Sequence, residues 1–285
     1  MEIKTAKYSS FCFGVKKAVE AAERLLKKGG KDVFSIGDII HNPSVVSALS
    51  SKGLKVCDGL NGLSKGTLIV RTHGLSPGII DEAVSRGIKV ADATCPLVKK
   101  SQGIVKALNK GKYHVIIVGN ARHPEVEALK GFAEGGVTVI GKTKELEGCR
   151  FPSDKVGVIA QSTYGEDKYI EIVSGIMRCG FKEIKVYNTI CSDTIKRQKA
   201  ASELAKKVEV MLVVGGMMSS NTKLLADICR AAGVETHHIE GADQLDMRWF
   251  AAKEQVGIVG GASTPNYTIE EIIKKIKKGK VENRC

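Results

Sequence analysis

Ile88-Lys89-Val90-Ala91-Asp92-Ala93-Thr94-Cys95 and Ile184-Lys185-Val186-Tyr187-Asn188-Thr189-Ile190-Cys191 follow one pattern. In each, a strand opening with Ile-Lys leads, seven residues on, to a cysteine that begins a helix. A third copy stands at the N-terminus, where Ile3-Lys4 leads to Cys12 over nine residues. The pattern makes the three cysteines structurally equivalent. Three such thiolates brought to one centre can hold an iron–sulfur cluster or a zinc ion and leave one position open to a substrate. No local C-x-x-C spacing applies, so the choice of metal stays open.

The repeat extends beyond the cysteines and defines an architecture. Val15, Ala18, Val19, Ala22, Leu25 and Leu26 keep helical spacing after Cys12 until Gly29-Gly30. Pro96 suits a first helical turn, and the helix after Cys95 is expected to run to Gly111. The helix after Cys191 carries Ala201, Leu204, Ala205 and Val208 on one face. Each of these helices is followed by a buried strand and a polar loop: 33–37 before His41, 114–119 before His123, 210–216 before Ser219. A second strand and loop close each copy: 68–71 before His73, 156–161 before Ser162-Thr163, 256–261 before Ser263-Thr264. Between the two lies a short strand, near 54–57, 137–140 and 235–239.

Strand and helix alternating throughout predict an α/β fold of three quasi-equivalent parallel units with right-handed crossovers. The expected units are 8–95, 96–191 and 192–281. The third lacks its own Ile-Lys strand, so the N-terminal segment 1–7 is expected to complete its sheet and close a pseudo-threefold ring. Ligands of parallel α/β sheets bind beyond the carboxyl ends of the strands, where all the polar loops and cysteines fall. They are expected to surround one central site.

The chain of 285 residues is 43% hydrophobic, enough for a substantial core, and has no run of about 20 apolar residues and no signal-like N-terminus. A cytoplasmic location is expected, and there eight cysteines read as thiols and metal ligands. The formal net charge of +13 favours anionic partners, yet the basic residues fall largely on helix faces and ends. Aromatic residues make up only 5%, and no basic segment interleaves them as a single-strand-binding platform does. Neither a nucleic acid nor a membrane is the expected partner.

His41-Asn42-Pro43, His73-Gly74, His123-Pro124-Glu125, Ser219-Ser220-Asn221-Thr222 and Ser263-Thr264-Pro265 offer imidazoles, hydroxyls, amides and helix-start N–H groups to phosphate oxygens. Singly, each is as well explained as a helix cap. Glu125 either gives first-turn charge to its helix or, if desolvated beside an anionic substrate, acts as a proton donor. Thr163 either orients a group or begins a helix. Cys57, Cys149, Cys179, Cys229 and Cys285 lack the repeated placement. With no dinucleotide or P-loop fingerprint present, electrons for a redox reaction would come from another protein.

Phe11-Cys12-Phe13-Gly14-Val15, Arg71-Thr72-His73-Gly74, Ala93-Thr94-Cys95-Pro96, His123-Pro124-Glu125-Val126, Thr189-Ile190-Cys191, Ser219-Ser220-Asn221-Thr222 and Gly261-Ala262-Ser263-Thr264-Pro265 resemble the LytB family over almost the whole chain. Members of that family reduce 4-hydroxy-3-methylbut-2-enyl diphosphate to isopentenyl and dimethylallyl diphosphates, the last step of the non-mevalonate isoprenoid pathway. The resemblance implies that Cys12, Cys95 and Cys191 ligate a 4Fe-4S cluster with one iron open to substrate, whose loss leaves 3Fe-4S. It implies that His41, His73, His123, Ser219, Ser220, Asn221 and Ser263 bind the allylic diphosphate. Glu125 would donate the proton, with His123 and Thr163 near the reacting end. An external donor such as ferredoxin or flavodoxin would supply electrons. Thr72, Ala128 and Ser162 depart from the family pattern without removing a proposed ligand, donor or acid. The rival functions are a non-redox metal-dependent lyase and a nucleic-acid-binding or redox-sensing metalloprotein.

Overall fold

A computed structural model describes residues 1–27 and 32–282; Lys28, the Gly29-Gly30 pair expected to end the first helix, and Cys285 lie outside the described residues. The strands are β1 (Glu2–Thr5), β2 (Val33–Ile36), β3 (Lys55–Cys57), β4 (Thr67–Val70), β5 (Lys89–Asp92), β6 (His114–Val118), β7 (Val137–Ile140), β8 (Lys155–Ala160), β9 (Glu183–Tyr187), β10 (Val210–Val214), β11 (Glu235–Ile239) and β12 (Gln255–Gly260). They form three parallel four-stranded sheets ordered β3-β2-β4-β5, β7-β6-β8-β9 and β11-β10-β12-β1. The helices are α1 (Phe13–Lys27), α2 (Pro43–Ser51), α3 (Pro77–Ser85), α4 (Pro96–Lys110), α5 (Pro124–Lys130), α6 (Glu166–Met177), α7 (Ser192–Ala205), α8 (Ser220–Ala231) and α9 (Asn266–Glu282). No helix among the described residues is long and apolar enough to cross a membrane.

The sheet order is the same in every copy. The N-terminal strand β1 takes, beside β12, the edge position that β5 and β9 take beside β4 and β8. The short strands β3, β7 and β11 lie between the loop-bearing strands in the chain but at the opposite sheet edge in space. The two loop-bearing strands pair with each other directly. Composition agrees: β6 and β10 are buried along their whole length, whereas β3 and β11 carry polar residues such as Lys55, Thr236 and His237.

The chain divides into two compact units. One comprises Met1–Lys16, His41–Val45 and Ser192 onward, and holds the third sheet. The other comprises Lys17–Ile40 and Val46–Cys191, and holds the first two. Alternation along each strand supplies two apolar faces. Met211, Val213 and Val259 pack against Ala201, Leu204 and Ala205 of α7 and Leu225 and Ala226 of α8. On the other face Leu212, Val214 and Ile258 meet Ile269, Ile272 and Ile276 of α9. In the second sheet Val115, Ile117 and Ile159 meet Val105 and Leu108 of α4 and Val126 and Leu129 of α5.

One packing detail repeats exposes the kinship of the copies. Gly157 of β8 and Gly257 of β12 are the third residues of equivalent strands. A side-chain carbon at either would collide with Leu108 of α4 or with Met211 and Leu204, the last on α7. These glycines let the helix that follows a repeat cysteine lie close on its sheet, and filling the space costs about 1–3 kcal/mol.

Candidate active site

Each repeat cysteine is tied by its backbone to a candidate binding loop. The Cys12 N–H donates to the Ala262 carbonyl (2.9 Å), that of Cys95 to Thr72 (3.0 Å), and that of Cys191 to Ser162 (2.8 Å). The acceptors are the residues just before Ser263, His73 and Thr163. Cys12 and Cys191 directly precede α1 and α7, and Cys95 is the N-cap of α4. No disulfide joins the described cysteines. Cys57, Cys149, Cys179 and Cys229 have no comparable tie, and Cys229 is a buried thiol whose pKa burial pushes up to about 11.

In the unit containing α4 to α6, the functional groups converge on Glu125. Its carboxylate is 1% exposed; Oε1 accepts from the Ser162 N–H (2.8 Å) and Oε2 from the Ser162 hydroxyl (2.6 Å). Both bonds favour the ionised form, but burial outweighs them and pushes the pKa from 4.5 up to about 7. Glu125 is the second residue of α5 and His123 is its N-cap, with Nδ1 accepting from the Glu125 N–H (3.2 Å). That bond puts the proton of the neutral imidazole on Nε2, making that nitrogen a donor. The His73 ring meets His123 edge-on, with centroids 5.4 Å apart. Thr163 Oγ1 accepts from Gln161 Nε2 (2.7 Å), while Gln161 Oε1 accepts from the Asn120 N–H (3.0 Å).

Ser162 thus holds both oxygens of Glu125 while its own carbonyl accepts from Cys191. It is one of the departures from the family pattern, and it keeps the hydroxyl that the carboxylate needs. Thr72, another, donates from N–H and hydroxyl to the Ile39 carbonyl. The partnership of Ser162 and Gln161 with Glu125 and Thr163 was not drawn from the sequence. The available signal was the repeat, which brings the loops after β6 and β8, neighbouring strands, to the same end of the sheet.

Two opposing effects act on the Cys95 thiol. A helix start favours a thiolate, and the N–H groups of Leu97 and Val98 do pull the Cys95 pKa down. Burial dominates, and Cys191 and Glu125 add to it, so the Cys95 thiol stands above its ordinary value. A metal bound there would have to displace that proton.

In the other unit, the Ser219–Thr222 loop and the loop that carries Ser263 lie side by side, with Thr222 abutting Gly261. Ser219 is the N-cap of α8, its Oγ accepting from the Thr222 N–H (3.3 Å), which leaves its hydroxyl hydrogen to donate elsewhere. Asn221 is 2% exposed, and neither its amide oxygen nor its nitrogen has a hydrogen-bond partner among the described residues. A buried orphan amide costs about 1–3 kcal/mol, as a site waiting for a polar ligand does. Ser220, next to it, is half-buried. The Ser263 hydroxyl donates to the His41 carbonyl (3.0 Å). Asn42 fastens the same loop: Nδ2 donates to the Ser263 carbonyl (2.8 Å), and Oδ1 accepts from Val45 N–H and Ser44 Oγ at the start of α2. Gly216 abuts the His41 carbonyl, leaving no room for a side chain.

Comparison with known proteins adds the following. The family model described as LytB protein matches residues 3–277. The 4-hydroxy-3-methylbut-2-enyl diphosphate reductase of Geobacter sulfurreducens is 44% identical over 279 residues, 98% of each chain. A solved (E)-4-hydroxy-3-methyl-but-2-enyl diphosphate reductase, the terminal enzyme of the non-mevalonate pathway, is 38% identical. The match covers 98% of this chain and 100% of that one, with a TM-score of 0.72. The E-1-hydroxy-2-methyl-but-2-enyl-4-diphosphate reductase from Plasmodium falciparum is 27% identical, with 95% and 86% covered and a TM-score of 0.90.

Proposed function

This chain belongs to the LytB family, and from that membership we propose that it reduces 4-hydroxy-3-methylbut-2-enyl diphosphate to isopentenyl and dimethylallyl diphosphates. In this reaction the allylic C–O bond breaks, a C–H bond forms, and two electrons and two protons are consumed as water leaves. The observation that carries the proposal is Glu125: a wholly buried carboxyl with a pKa pushed up to about 7, in electrostatic contact with Cys95. Near neutral pH such a group holds a proton it can give away.

The LytB family is an iron–sulfur family. The donor set fits such a group: three cysteines outside any disulfide, with helical N–H groups directed at the sulfurs of Cys12 and Cys95, that of Val15 lying 3.4 Å from Cys12 Sγ. Cys12, Cys95 and Cys191 would hold a 4Fe-4S cluster. When bound, the cluster supplies single electrons and an open iron as Lewis acid toward the hydroxyl.

The protein's own residues do the rest. Ser219, Ser220, Asn221, Ser263, His41, His73 and His123 bind the diphosphate, the Asn221 amide gaining the partner it lacks. Ser162 keeps Glu125 aimed, and Glu125 donates its proton to the departing hydroxyl. His123, as the Nε2–H tautomer, donates to the bound substrate, and Thr163, aligned by Gln161, orients the reacting end. Ferredoxin or flavodoxin is the proposed electron donor, and the cytoplasm the proposed location.

The test is anaerobic reconstitution, iron analysis, and oxidation of reduced methyl viologen on adding the substrate. Substrate-dependent oxidation yielding both C5 diphosphates is expected. No oxidation by a fully loaded protein would contradict the assignment and favour the lyase.

A further inference from the structure

Arg197 is a large charged side chain that α7 buries almost completely, leaving it 2% exposed. Nε donates to Asp193 Oδ2 (2.6 Å), one helical turn back. Three of the four remaining donors go to backbone carbonyls: Nη1 to Tyr8 and to Gly260 (3.3 Å), Nη2 to Ser10 (2.6 Å). Burying a guanidinium is costly unless its donors find acceptors, and beyond Asp193 two particular segments supply them. One is the approach to Cys12. The other is the end of β12, two residues ahead of the carbonyl that receives the Cys12 N–H.

The three cysteine approaches explain why such a clamp is needed. In the seven-residue leads, the residue three before the cysteine holds the turn itself: Asp92 Oδ1 accepts from the Thr94 N–H (2.9 Å), and Asn188 Oδ1 from the Ile190 N–H (3.1 Å). At the same offset in the nine-residue lead stands Ser9, whose hydroxyl donates backward to the Ala6 carbonyl (2.6 Å). The longer lead also passes through Tyr8 at φ +65°, a left-handed conformation that non-glycine residues adopt uncommonly. Between the Ala6 and Cys12 N–H bonds to Ile258 and Ala262, the Tyr8 and Ser10 carbonyls are held by Arg197.

We propose that Arg197 is the positioning residue for Cys12, replacing from α7 the side-chain turn that the longer approach lacks. It acts through backbone and touches no reacting atom. α7 directly follows Cys191 in the chain, so one helix both succeeds one repeat cysteine and sets the approach of another. The inference leans on the proposed cluster only where iron is measured.

The test is hydrogen–deuterium exchange of the metal-free protein, comparing wild type with Arg197→Lys, which keeps the charge but loses the fork. Exchange at 9–13 should accelerate about tenfold, with amides of β10 and β12 unchanged. Asp193→Asn, which loosens the guanidinium's anchor, should accelerate the same segment about threefold and keeps the question decidable if the lysine variant fails to fold. After reconstitution, Arg197→Lys should release iron to a chelator several-fold faster than wild type. Unchanged exchange in both variants, or acceleration spread equally over β10 and β12, would overturn the proposal, the latter making Arg197 a general core residue. Unchanged iron release would overturn its link to Cys12. Wild type that takes up no cluster would count against the enzyme assignment instead, with the exchange arm still deciding Arg197.

Discussion

Glu125 and Asn221 occupy the same place in two copies of the repeat: second residue of the helix after the first central strand, two positions beyond an N-cap that is His123 in one and Ser219 in the other. Both are buried, to 1% and 2% exposure. Glu125 has both oxygens bonded to Ser162, whereas Asn221 has neither amide atom bonded among the described residues. One backbone position thus serves two tasks. Where the side chain titrates, a neighbouring loop holds it and burial tunes its proton. Where it is neutral, its amide atoms have no partner among the described residues, and the proposed diphosphate would complete them.

The sharpest break to attempt concerns the cysteine that both Glu125 and Cys191 influence. Cys95→Ser should lose its iron on desalting and with it all turnover, while Cys229→Ser, more deeply buried but outside the repeat pattern, keeps both. Iron analysis and viologen oxidation check this. Next, Glu125→Gln should cut turnover about 100-fold or more with substrate affinity within about twofold, because only proton delivery is removed. Steady-state kinetics and direct binding separate the two.

The same substitution probes the metal-free fold. An acid whose pKa rises on folding costs nothing below its unfolded value. The cost grows as pH climbs from 4.5 and is complete above about 7. A move of that size corresponds to about 3 kcal/mol. Metal-free Glu125→Gln should therefore match wild type in urea stability near pH 4.5 and exceed it by about that amount at pH 8. A gain independent of pH would mean that the ionised carboxylate is not the strained species. The smallest effect is expected at the other position. Asn221→Ala should weaken substrate binding about tenfold, leave saturated turnover within about threefold, and leave the ligand-free protein no less stable, since an orphan amide is removed. Titration and thermal melting test both halves.

Much of this frame is legible in the chain. The Ile-Lys leads mark three edge strands, and glycine, proline and polar residues after buried runs mark the loops that carry His73, Thr163 and Ser263. What periodicity cannot carry is burial and long-range partnership. Arg197, in a helix of mixed charge, looks like a solvated residue, and only the packed fold reveals its carbonyl partners. Ser162 sits 37 residues from the carboxylate it holds. The Cys95 thiol moves opposite to the direction its helix-start position favours because desolvation, invisible in sequence, outweighs the N–H groups that the sequence does announce.

The division of labour between Glu125 and Asn221 is tested most directly by single turnover of reconstituted wild type, Glu125→Gln and Asn221→Ala under saturating substrate. The account predicts a rate about 100-fold lower for the first variant and close to wild type for the second. Equal rates for Glu125→Gln and wild type, or an Asn221→Ala rate that saturation cannot restore, would contradict it.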